Sequence, residues 1–337
     1  MNIQPVFILG EQRSGTNLLR LILNKSQDVI APHPPHIIPR LLEFVPYYGD
    51  LLKDANFKSL INDICLLIET NPVPWNIKLD REKILNKVPR RSIWAVYEYI
   101  MNSYAIENQA KLWVCKSMEN AFHIPAIEAS FQKPKYIFLF RDPRDVALSF
   151  QKTIIGNKHP YLIAKKWQEL QEFSLSAREK VEPERFFSLK YETLIKFPES
   201  TISSLCHYLQ IDFDLSMLEY YNSDEATNTA SVGSQWENVK KPIQTNNSRK
   251  YLNKLSENSI HIIESVCATT MEKLGYHRNY ESILNFTNSD IVNFEEQDIL
   301  MRKETAHNFP YNELKKREQQ QLILSDIQKK FQISTSL

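Results

Sequence analysis

Short apolar runs alternate with helix-like patterns along most of the chain. Four runs have the length and composition of buried strands, and they fall at 6–9, 112–115, 136–140 and 186–189. Strands that alternate with helices favour a mainly parallel sheet covered on both faces. We therefore predict an α/β protein with three layers, in which helices flank a mainly parallel central sheet.

Helices are predicted where apolar residues recur at helical spacing. The segments concerned are 18–24, 57–68, a helix beginning at 146–152, 198–210 and 256–274, and Gly275 is the expected C-terminal cap of the last one. More broadly, 41–110 reads as mostly helical. By contrast, 31–40 carries four prolines and cannot form a regular helix. The polar segment 222–250 is expected to be a long loop.

The composition changes near residue 280, after which the chain is polar and rich in Gln, Asn and Lys. We divide the chain there into a domain at 1–279 and a partly helical C-terminal extension at 280–337, with a helix near 312–331. No internal repeat is visible.

Composition excludes several classes of protein. The 337 residues have a formal net charge of +1, so no global field would attract nucleic acid and any anion site has to be built locally. No apolar run is long enough for a secretion signal or a membrane span, and a cytoplasmic location is expected. The four cysteines lie far apart and predict buried, reduced thiols rather than disulfides or a metal site.

The first candidate for chemistry is the loop at 10–17, GEQRSGTN, which follows a predicted strand and opens a helix. Its glycine spacing is that of a Walker A loop, which predicts a P-loop-like fold, but Thr16 and Asn17 stand where Lys and Ser or Thr would follow. The cation lies instead within the loop, at Arg13. Backbone N–H groups at a helix N-terminus bind anions, and Arg13 adds a planar cation. We see no acidic motif for magnesium, so no metal is predicted.

A second candidate follows the 136–140 strand. Arg141 leaves the expected carboxyl end of that strand, where α/β sheets bind ligands, and Ser149 lies two helical turns further on. The alternative is a solvated cluster of local Arg–Asp pairs, in which Asp142 and Asp145 only hold the arginines.

Together these two segments resemble the PAPS-dependent sulfotransferase family, PAPS being 3′-phosphoadenosine 5′-phosphosulfate. The resemblance extends over about residues 5–278. It includes the strand ending WVCK at Lys116, the KYE element at Tyr191, and a C-terminal part, 234–250 and 274–276, that is most similar to tyrosylprotein sulfotransferases. It implies transfer of a sulfuryl group from PAPS to an acceptor hydroxyl by in-line displacement, with adenosine 3′,5′-bisphosphate (PAP) as product.

The resemblance also implies residue roles. The 5′-phosphosulfate would be held by Arg13, Ser14, Gly15, Thr16 and Asn17. Arg141 and Ser149 would bind the 3′-phosphate, and Lys250 would lie over the phosphates. Tyr191 and Trp236 would contact the adenine. Arg13 and Lys116 would stabilise the leaving oxygen. The alternative for Tyr191 and Trp236 is a place in the core, and for Lys250 a place on the surface.

The general base departs from the family's patterns. The cytosolic branch has a histidine two residues after the catalytic lysine, where this chain has Met118. The tyrosylprotein branch has a glutamate before an Ile-Pro-Arg sequence, and that position falls here at about Pro34. Because a histidine accepts a proton near neutral pH, His33 is our first candidate for the base and His36 the second. Glu119 and His123 are weaker alternatives, and a rigid proline-rich loop with incidental histidines is the structural alternative.

Two other functions remain open from the sequence. One is an ATP-dependent P-loop kinase, which would need a Walker lysine after Gly15. The other is a non-catalytic nucleotide-binding protein on the same fold. The acceptor is not specified, and a sugar, a phenol, a lipid head group or a peptide tyrosine all fit. The sequence permits a homodimer without predicting one.

Overall fold

The computed structural model describes residues 3–308 and 311–331. Five strands form one sheet: β1 (Gln4–Leu9), β2 (Val29–Ile30), β3 (Leu112–Cys115), β4 (Lys135–Phe140) and β5 (Phe186–Lys190). Their spatial order is β2-β3-β1-β4-β5, and every neighbouring pair is parallel. The predicted α/β class with a mainly parallel sheet is confirmed.

The α-helices in chain order are α1 (Thr16–Leu23), α2 (Ile37–Leu41), α3 (Asp54–Glu69), α4 (Arg81–Lys87), α5 (Ile93–Glu107), α6 (Ile124–Ser130), α7 (Pro143–Phe150), α8 (Pro160–Lys180), α9 (Tyr191–Lys196), α10 (Pro198–Leu209), α11 (Asp224–Ser231), α12 (Glu257–Lys273), α13 (Asn288–His307) and α14 (Tyr311–Lys330). None of them, within the described residues, combines the length and apolar content needed to cross a bilayer.

Both faces of the sheet are covered, because alternate side chains of each strand enter two different cores. In β1, Phe7 and Leu9 join the core beneath α3, α5, α8 and α12, whereas Val6 and Ile8 join the core beneath α1 and α10. A strand buried on both faces has to be apolar at every position. This explains why the central strands were the clearest signals in the sequence.

The order of the strands places three loops side by side. Strand β1 lies between β3 and β4, with Leu9 opposite Phe138 in the parallel register. The loops that leave β1, β3 and β4 therefore emerge at the same edge of the sheet, which is the edge where parallel α/β sheets bind ligands.

Some elements differ from the sequence predictions. The short edge strand β2 was not predicted, since two residues carry no periodicity. The segment 222–250 is not one long loop: it contains α11, which Ser223 caps through a hydrogen bond from the Ala226 N–H, and a 3-10 helix at Ser234–Lys240. The four cysteines are buried and unpaired, as expected.

The C-terminal helices contact the rest of the molecule. Helix α14 packs on α3, where Ile327 is buried and the Lys330 ammonium lies 2.9 Å from a carboxylate oxygen of Asp63. In α13, Asp298 is buried and accepts hydrogen bonds from the backbone N–H groups of Lys158 and His159 at 2.5 and 2.9 Å. The division at residue 280 stays a prediction, and residues 1, 2, 309, 310 and 332–337 of its two parts lie outside the described residues.

Candidate functional site

The loop between β1 and α1 is a tight turn that ends at a helix N-terminus. Gly15 has φ +93° and stands directly before the first residue of α1. A Cβ at Gly15 would lie 2.5 Å from the ring of Tyr191, and a Cβ at Gly10 would lie 2.6 Å from the Leu139 carbonyl oxygen. Glycine is therefore required at both positions by close approach, and the turn leaves backbone N–H groups at the start of α1 directed out of the helix.

Arg13 links this loop to the second predicted anion site. Its Nε donates to Ser149 Oγ at 3.0 Å, and its Nη2 donates to the Gln235 carbonyl oxygen at 2.9 Å. Burial lowers the pKa of Arg13 to about 10, and the nearby Arg141 adds to this effect. Two buried cations at close range are unfavourable without an anion between or beside them.

Arg141 leaves the end of β4, as predicted, and turns toward the same loop. Its Nη1 donates to the Arg13 carbonyl oxygen at 2.8 Å, and its guanidinium lies 4.4 Å from the centre of the Tyr191 ring. Its Nη2 donates to the Asn247 carbonyl oxygen at 2.9 Å. The Asn247 amide also donates to the Tyr191 hydroxyl at 2.8 Å. Residues from four separate parts of the chain thus meet around one guanidinium.

Three buried hydrogen-bond donors at this place have no partner among the described residues. They are Ser14 Oγ, Arg141 Nε and Gln235 Nε2. Leaving a buried donor unsatisfied costs about 1–3 kcal/mol. Such donors fit a site whose acceptor oxygens come from a ligand.

The two aspartates after β4 have different functions. Asp142 pairs with Arg144 at 2.6 Å, in a buried network that also includes Glu264. Asp145 instead accepts hydrogen bonds from the backbone N–H groups of Arg249 and Tyr251, at 2.6 and 3.1 Å. Asp142 therefore holds an arginine, whereas Asp145 fixes the backbone on both sides of Lys250, which lines the cavity.

Lys116 follows β3 and lies deep in the wall of the same cavity. Burial lowers its pKa to about 7, and the positive charges of Arg20 and Arg13 lower it further. Glu11, in the loop after β1, shows the opposite effect, because burial raises its pKa to about 7. Lys116 and Glu11 are therefore both poised to change charge near neutral pH.

The proline-rich segment places both candidate histidines in the cavity wall. The His33 ring meets the Trp236 ring edge-on at 5.8 Å between centres, and the His33 carbonyl oxygen accepts from the Trp75 indole at 2.7 Å. The Met118 N–H lies 3.4 Å from His36 Nδ1. Burial and the charge of Lys116 lower the pKa of both imidazoles, so that they are neutral at pH 7.

The weaker candidates for the base lie elsewhere. Glu119 forms an ion pair with Lys166 at 2.5 Å, and the ring of His123 packs against Trp94. Neither residue lines the cavity.

A single cavity of about 710 Å³ connects these features. Of the residues predicted from the sequence, its lining includes Arg13, Gly15, Thr16, Asn17, His33, His36, Lys116, Arg141, Ser149, Tyr191, Trp236 and Lys250. Ser14 is the exception: it is buried in the loop behind them.

Several cavity residues were not predicted from the sequence. They are Gln12, Arg40, Asn71, Met118, Lys152, Asn247, Lys254, Gln320, Gln321 and Leu324. Lys152 lies three residues after Ser149, about one helical turn, and this spacing was the one sequence feature that could have placed it beside the predicted site. The cavity residues of α14 and of the α3–α4 connection had no signal in the sequence, because they reach the cavity only through the packing of distant segments.

The charges around the cavity are one-sided. The lining carries seven basic side chains, Arg13, Arg40, Lys116, Arg141, Lys152, Lys250 and Lys254, whereas Asp145 is its one carboxylate among the described residues. The chain as a whole has a formal net charge of only +1. The positive potential is therefore a local property of this cavity, and it favours a ligand with several negative charges.

Comparison with known proteins gives matches over most of the chain. A model of the sulfotransferase family matches residues 5–215. The omega-hydroxy-beta-dihydromenaquinone-9 sulfotransferase Stf3 of Mycobacterium tuberculosis is 26% identical over 273 residues, 66% of this chain and 67% of that protein. Protein-tyrosine sulfotransferase A of Caenorhabditis elegans is 22% identical over 285 residues, 81% of this chain and 67% of that protein.

An uncharacterized protein of Aquifex aeolicus is 24% identical over 236 residues, and the match covers 68% of this chain but only 28% of that longer protein. Two solved domains share the fold. The sulfotransferase domain from the curacin biosynthetic pathway has a TM-score of 0.57 and 24% identity, over 82% of this chain and 99% of that one. The sulfotransferase domain of the Synechococcus PCC 7002 olefin synthase has a TM-score of 0.56 and 22% identity, over 82% and 96%.

Proposed function

We propose a reaction for this chain, which belongs to the sulfotransferase family. It transfers a sulfuryl group from PAPS to a hydroxyl group of an acceptor. The observation that supports this most strongly is the meeting of the two anion sites. Arg13, in the loop after β1, donates to Ser149 and accepts from Arg141 through its carbonyl oxygen. Ser149 and Arg141 both belong to the segment after β4. A ligand with phosphates at the 3′ and 5′ positions of one ribose suits this arrangement.

The residues present suit each part of the donor. The N-terminus of α1 and the hydroxyls of Ser14 and Thr16 would bind the 5′-phosphosulfate. Arg141 and Ser149 would bind the 3′-phosphate, since a planar guanidinium suits phosphate oxygens. The unsatisfied donors Ser14 Oγ and Arg141 Nε would then find acceptors. We place Tyr191 and Trp236 at the adenine and Lys250 over the phosphates.

Positioning and charge stabilisation would supply most of the catalysis. In sulfuryl transfer, as in phosphoryl transfer, the group passes in line between two oxygens, and negative charge accumulates on the leaving oxygen. Arg13 and Lys116 would stabilise that charge. The bound anion would also raise the pKa of Lys116 from its depressed value, so that the lysine is charged when the donor is present.

The acceptor is proposed only as a hydroxyl compound. The names of the two characterised relatives specify different acceptors, a hydroxylated menaquinone derivative and a protein tyrosine. The acceptor's proton has to leave during transfer. His33 and His36 line the cavity as neutral imidazoles, and both stay candidates for contact with the acceptor oxygen.

Nucleotide binding tests the proposal. We expect PAP to bind without magnesium and to bind more tightly than ATP, measured by titration calorimetry. Arg141→Ala should weaken PAP binding about 10- to 100-fold, as expected for a lost charged hydrogen bond of about 1.5–3 kcal/mol. Arg178→Ala removes an exposed arginine of α8 and should have no effect. Tighter binding of ATP with magnesium would support the kinase alternative instead.

Turnover separates an enzyme from a non-catalytic binding protein. PAP release from PAPS should depend on an acceptor when phenols, sugars and tyrosine peptides are supplied in turn. PAP binding without release of PAP for any acceptor or for water would favour the non-catalytic alternative.

A further inference from the structure

A line of hydrogen bonds runs from the C-terminal helix to His33. Arg40 Nη1 donates to Gln320 Oε1 at 2.8 Å. Gln320 Nε2 donates to the Leu67 carbonyl oxygen at 3.2 Å and lies 3.4 Å from Asn71 Oδ1. Both amide side chains are almost completely buried, Gln320 at 6% exposed and Asn71 at 5%.

The partners determine how each amide is oriented. An arginine can only donate and a backbone carbonyl can only accept, so Gln320 has to turn its oxygen to Arg40 and its nitrogen to Leu67. Asn71 is constrained in the same way. Its Nδ2 lies 3.0 Å from the His33 carbonyl oxygen and 2.8 Å from the Val73 carbonyl oxygen. The reverse orientation of Asn71 would place its oxygen against both carbonyls.

The orientation of Asn71 affects the His33 ring. Asn71 Nδ2 also lies 3.4 Å from His33 Nδ1, while its two hydrogens are directed to the carbonyl oxygens of His33 and Val73. A hydrogen on Nδ1 would therefore face an amide nitrogen that cannot accept it, and this favours Nδ1 as the unprotonated ring nitrogen. Burial and the charges of Arg20 and Lys116 lower the pKa of His33 well below its usual value, which leaves the imidazole neutral. A neutral imidazole carries one hydrogen, and here it has to be on Nε2.

We infer that Gln320 and Asn71 are positioning residues that hold His33 as the Nε2–H tautomer, so that His33 donates a hydrogen bond to a ligand oxygen. His33 lines the cavity and would offer this hydrogen to an oxygen of the sulfuryl group or of the acceptor. The role in transfer rests on the proposed function, whereas the tautomer does not. The general base would then be a group other than His33.

His36 shows the same arrangement by a separate contact. The Met118 backbone N–H donates to His36 Nδ1 at 3.4 Å, so this ring nitrogen accepts. Because a backbone N–H cannot reverse its role, the neutral His36 should carry its hydrogen on Nε2 as well.

Long-range 1H–15N correlation spectra of the full chain, labelled with 15N-histidine, test the inference directly. The signals of His33 are assigned by their loss in His33→Gln. At pH 7 we expect a neutral ring with Nδ1 in the unprotonated range and Nε2 in the protonated range. A hydrogen on Nδ1, or a charged ring, in the wild-type protein would overturn the inference whatever the variants show.

Variants test the two positioning residues. In Asn71→Asp, a carboxylate that only accepts should move the His33 hydrogen to Nδ1. Asn62→Asp makes the same exchange at an exposed position of α3 and should leave the His33 pattern unchanged. Gln320→Leu removes the donor to Asn71 Oδ1, so the amide is held by the two carbonyls alone, and a minor population with the hydrogen on Nδ1 should shift the His33 signals part of the way. A fully retained Nε2–H pattern in Gln320→Leu would remove Gln320 from the relay.

PAP binding is measured on the same samples by calorimetry. An Nε2–H tautomer without PAP binding would refute the proposed function and leave this inference standing. PAP binding together with a hydrogen on His33 Nδ1 would refute this inference and leave the proposed function standing.

Discussion

At the scale of single residues, the environment of Lys116 determines its charge. Burial and the positive charges of Arg20 and Arg13 disfavour the ammonium form and lower the pKa to about 7. A ligand with several negative charges acts in the opposite direction. The charge of this lysine should therefore be coupled to occupancy of the cavity.

This coupling predicts proton uptake. At pH 8 the free protein should hold Lys116 mostly neutral, and binding of PAP should raise its pKa and take up as much as about one proton. PAP affinity should accordingly decrease as the pH rises above 7. Calorimetry in buffers of different ionisation enthalpy measures the uptake.

The control for this experiment is Lys111→Met, which changes an exposed lysine next to the same strand. Uptake should be lost in Lys116→Met and retained in Lys111→Met. If both variants keep the full uptake, the proton goes to another group, for which Glu11 is the first candidate, since its pKa is also about 7.

Substitution of the cations tests their role in transfer. Lys116→Ala and Arg13→Ala should each reduce turnover of PAPS by at least about 10²–10³-fold, because each would remove a group that stabilises the leaving oxygen. The circular dichroism spectrum should be unchanged. Unchanged turnover in Lys116→Ala would exclude this lysine from the reaction.

At the scale of elements, the strand–loop–helix unit of β1 and α1 requires glycine for two reasons. Gly15 has a positive φ, and its α-carbon lies against the ring of Tyr191. Gly275, after α12, also has a positive φ, but nothing lies within 4 Å of the place its Cβ would occupy. A comparison of substitutions at the two glycines therefore distinguishes the effect of backbone strain from that of steric contact.

We expect Gly15→Ala to be the more damaging of two matched substitutions. Both should lose about 1–2 kcal/mol of unfolding free energy, because alanine is strained in the left-handed region. Gly15→Ala should in addition displace Tyr191 and weaken PAP binding, which Gly275→Ala should leave unchanged. Urea unfolding and calorimetry measure the two effects. Equal PAP affinity in both variants would argue against the placement of Tyr191 at the adenine.

The strands and most helices could be predicted because their signals are local. Strand β3 was predicted at its observed bounds, Leu112–Cys115, since a strand buried on both faces is apolar throughout. Strand β2 and helix α11 were missed. Two residues give β2 no period, and α11 is polar enough to resemble a loop.

At the scale of the whole molecule, the C-terminal helices are attached by specific polar contacts. Asp298 of α13 satisfies two backbone N–H groups at the start of α8, at positions 158 and 159. Its carboxylate also pairs with Arg302 at 2.9 Å. Removing a buried acceptor leaves its donors unsatisfied, which destabilises the folded state.

Asp298→Ala should therefore lower the free energy of unfolding by about 1–3 kcal/mol or more, measured by urea denaturation. Glu296→Ala removes a carboxylate from an exposed position of the same helix and should change stability by less than about 0.5 kcal/mol. Similar values for both variants would indicate that α13 is not held by Asp298.

The sequence by itself determined the chemistry of the two candidate anion-binding segments, because the strand and the polar residues that make each of them lie within a few consecutive residues. It also placed Lys116 at the end of a strand. Only the tertiary structure decided that these segments meet, since adjacency of β1 and β4 follows from strand order. It likewise brought Gln320 to Asn71, which contacts His33. It also shifted the pKa of Lys116, because burial and neighbouring charge exist only in the folded molecule.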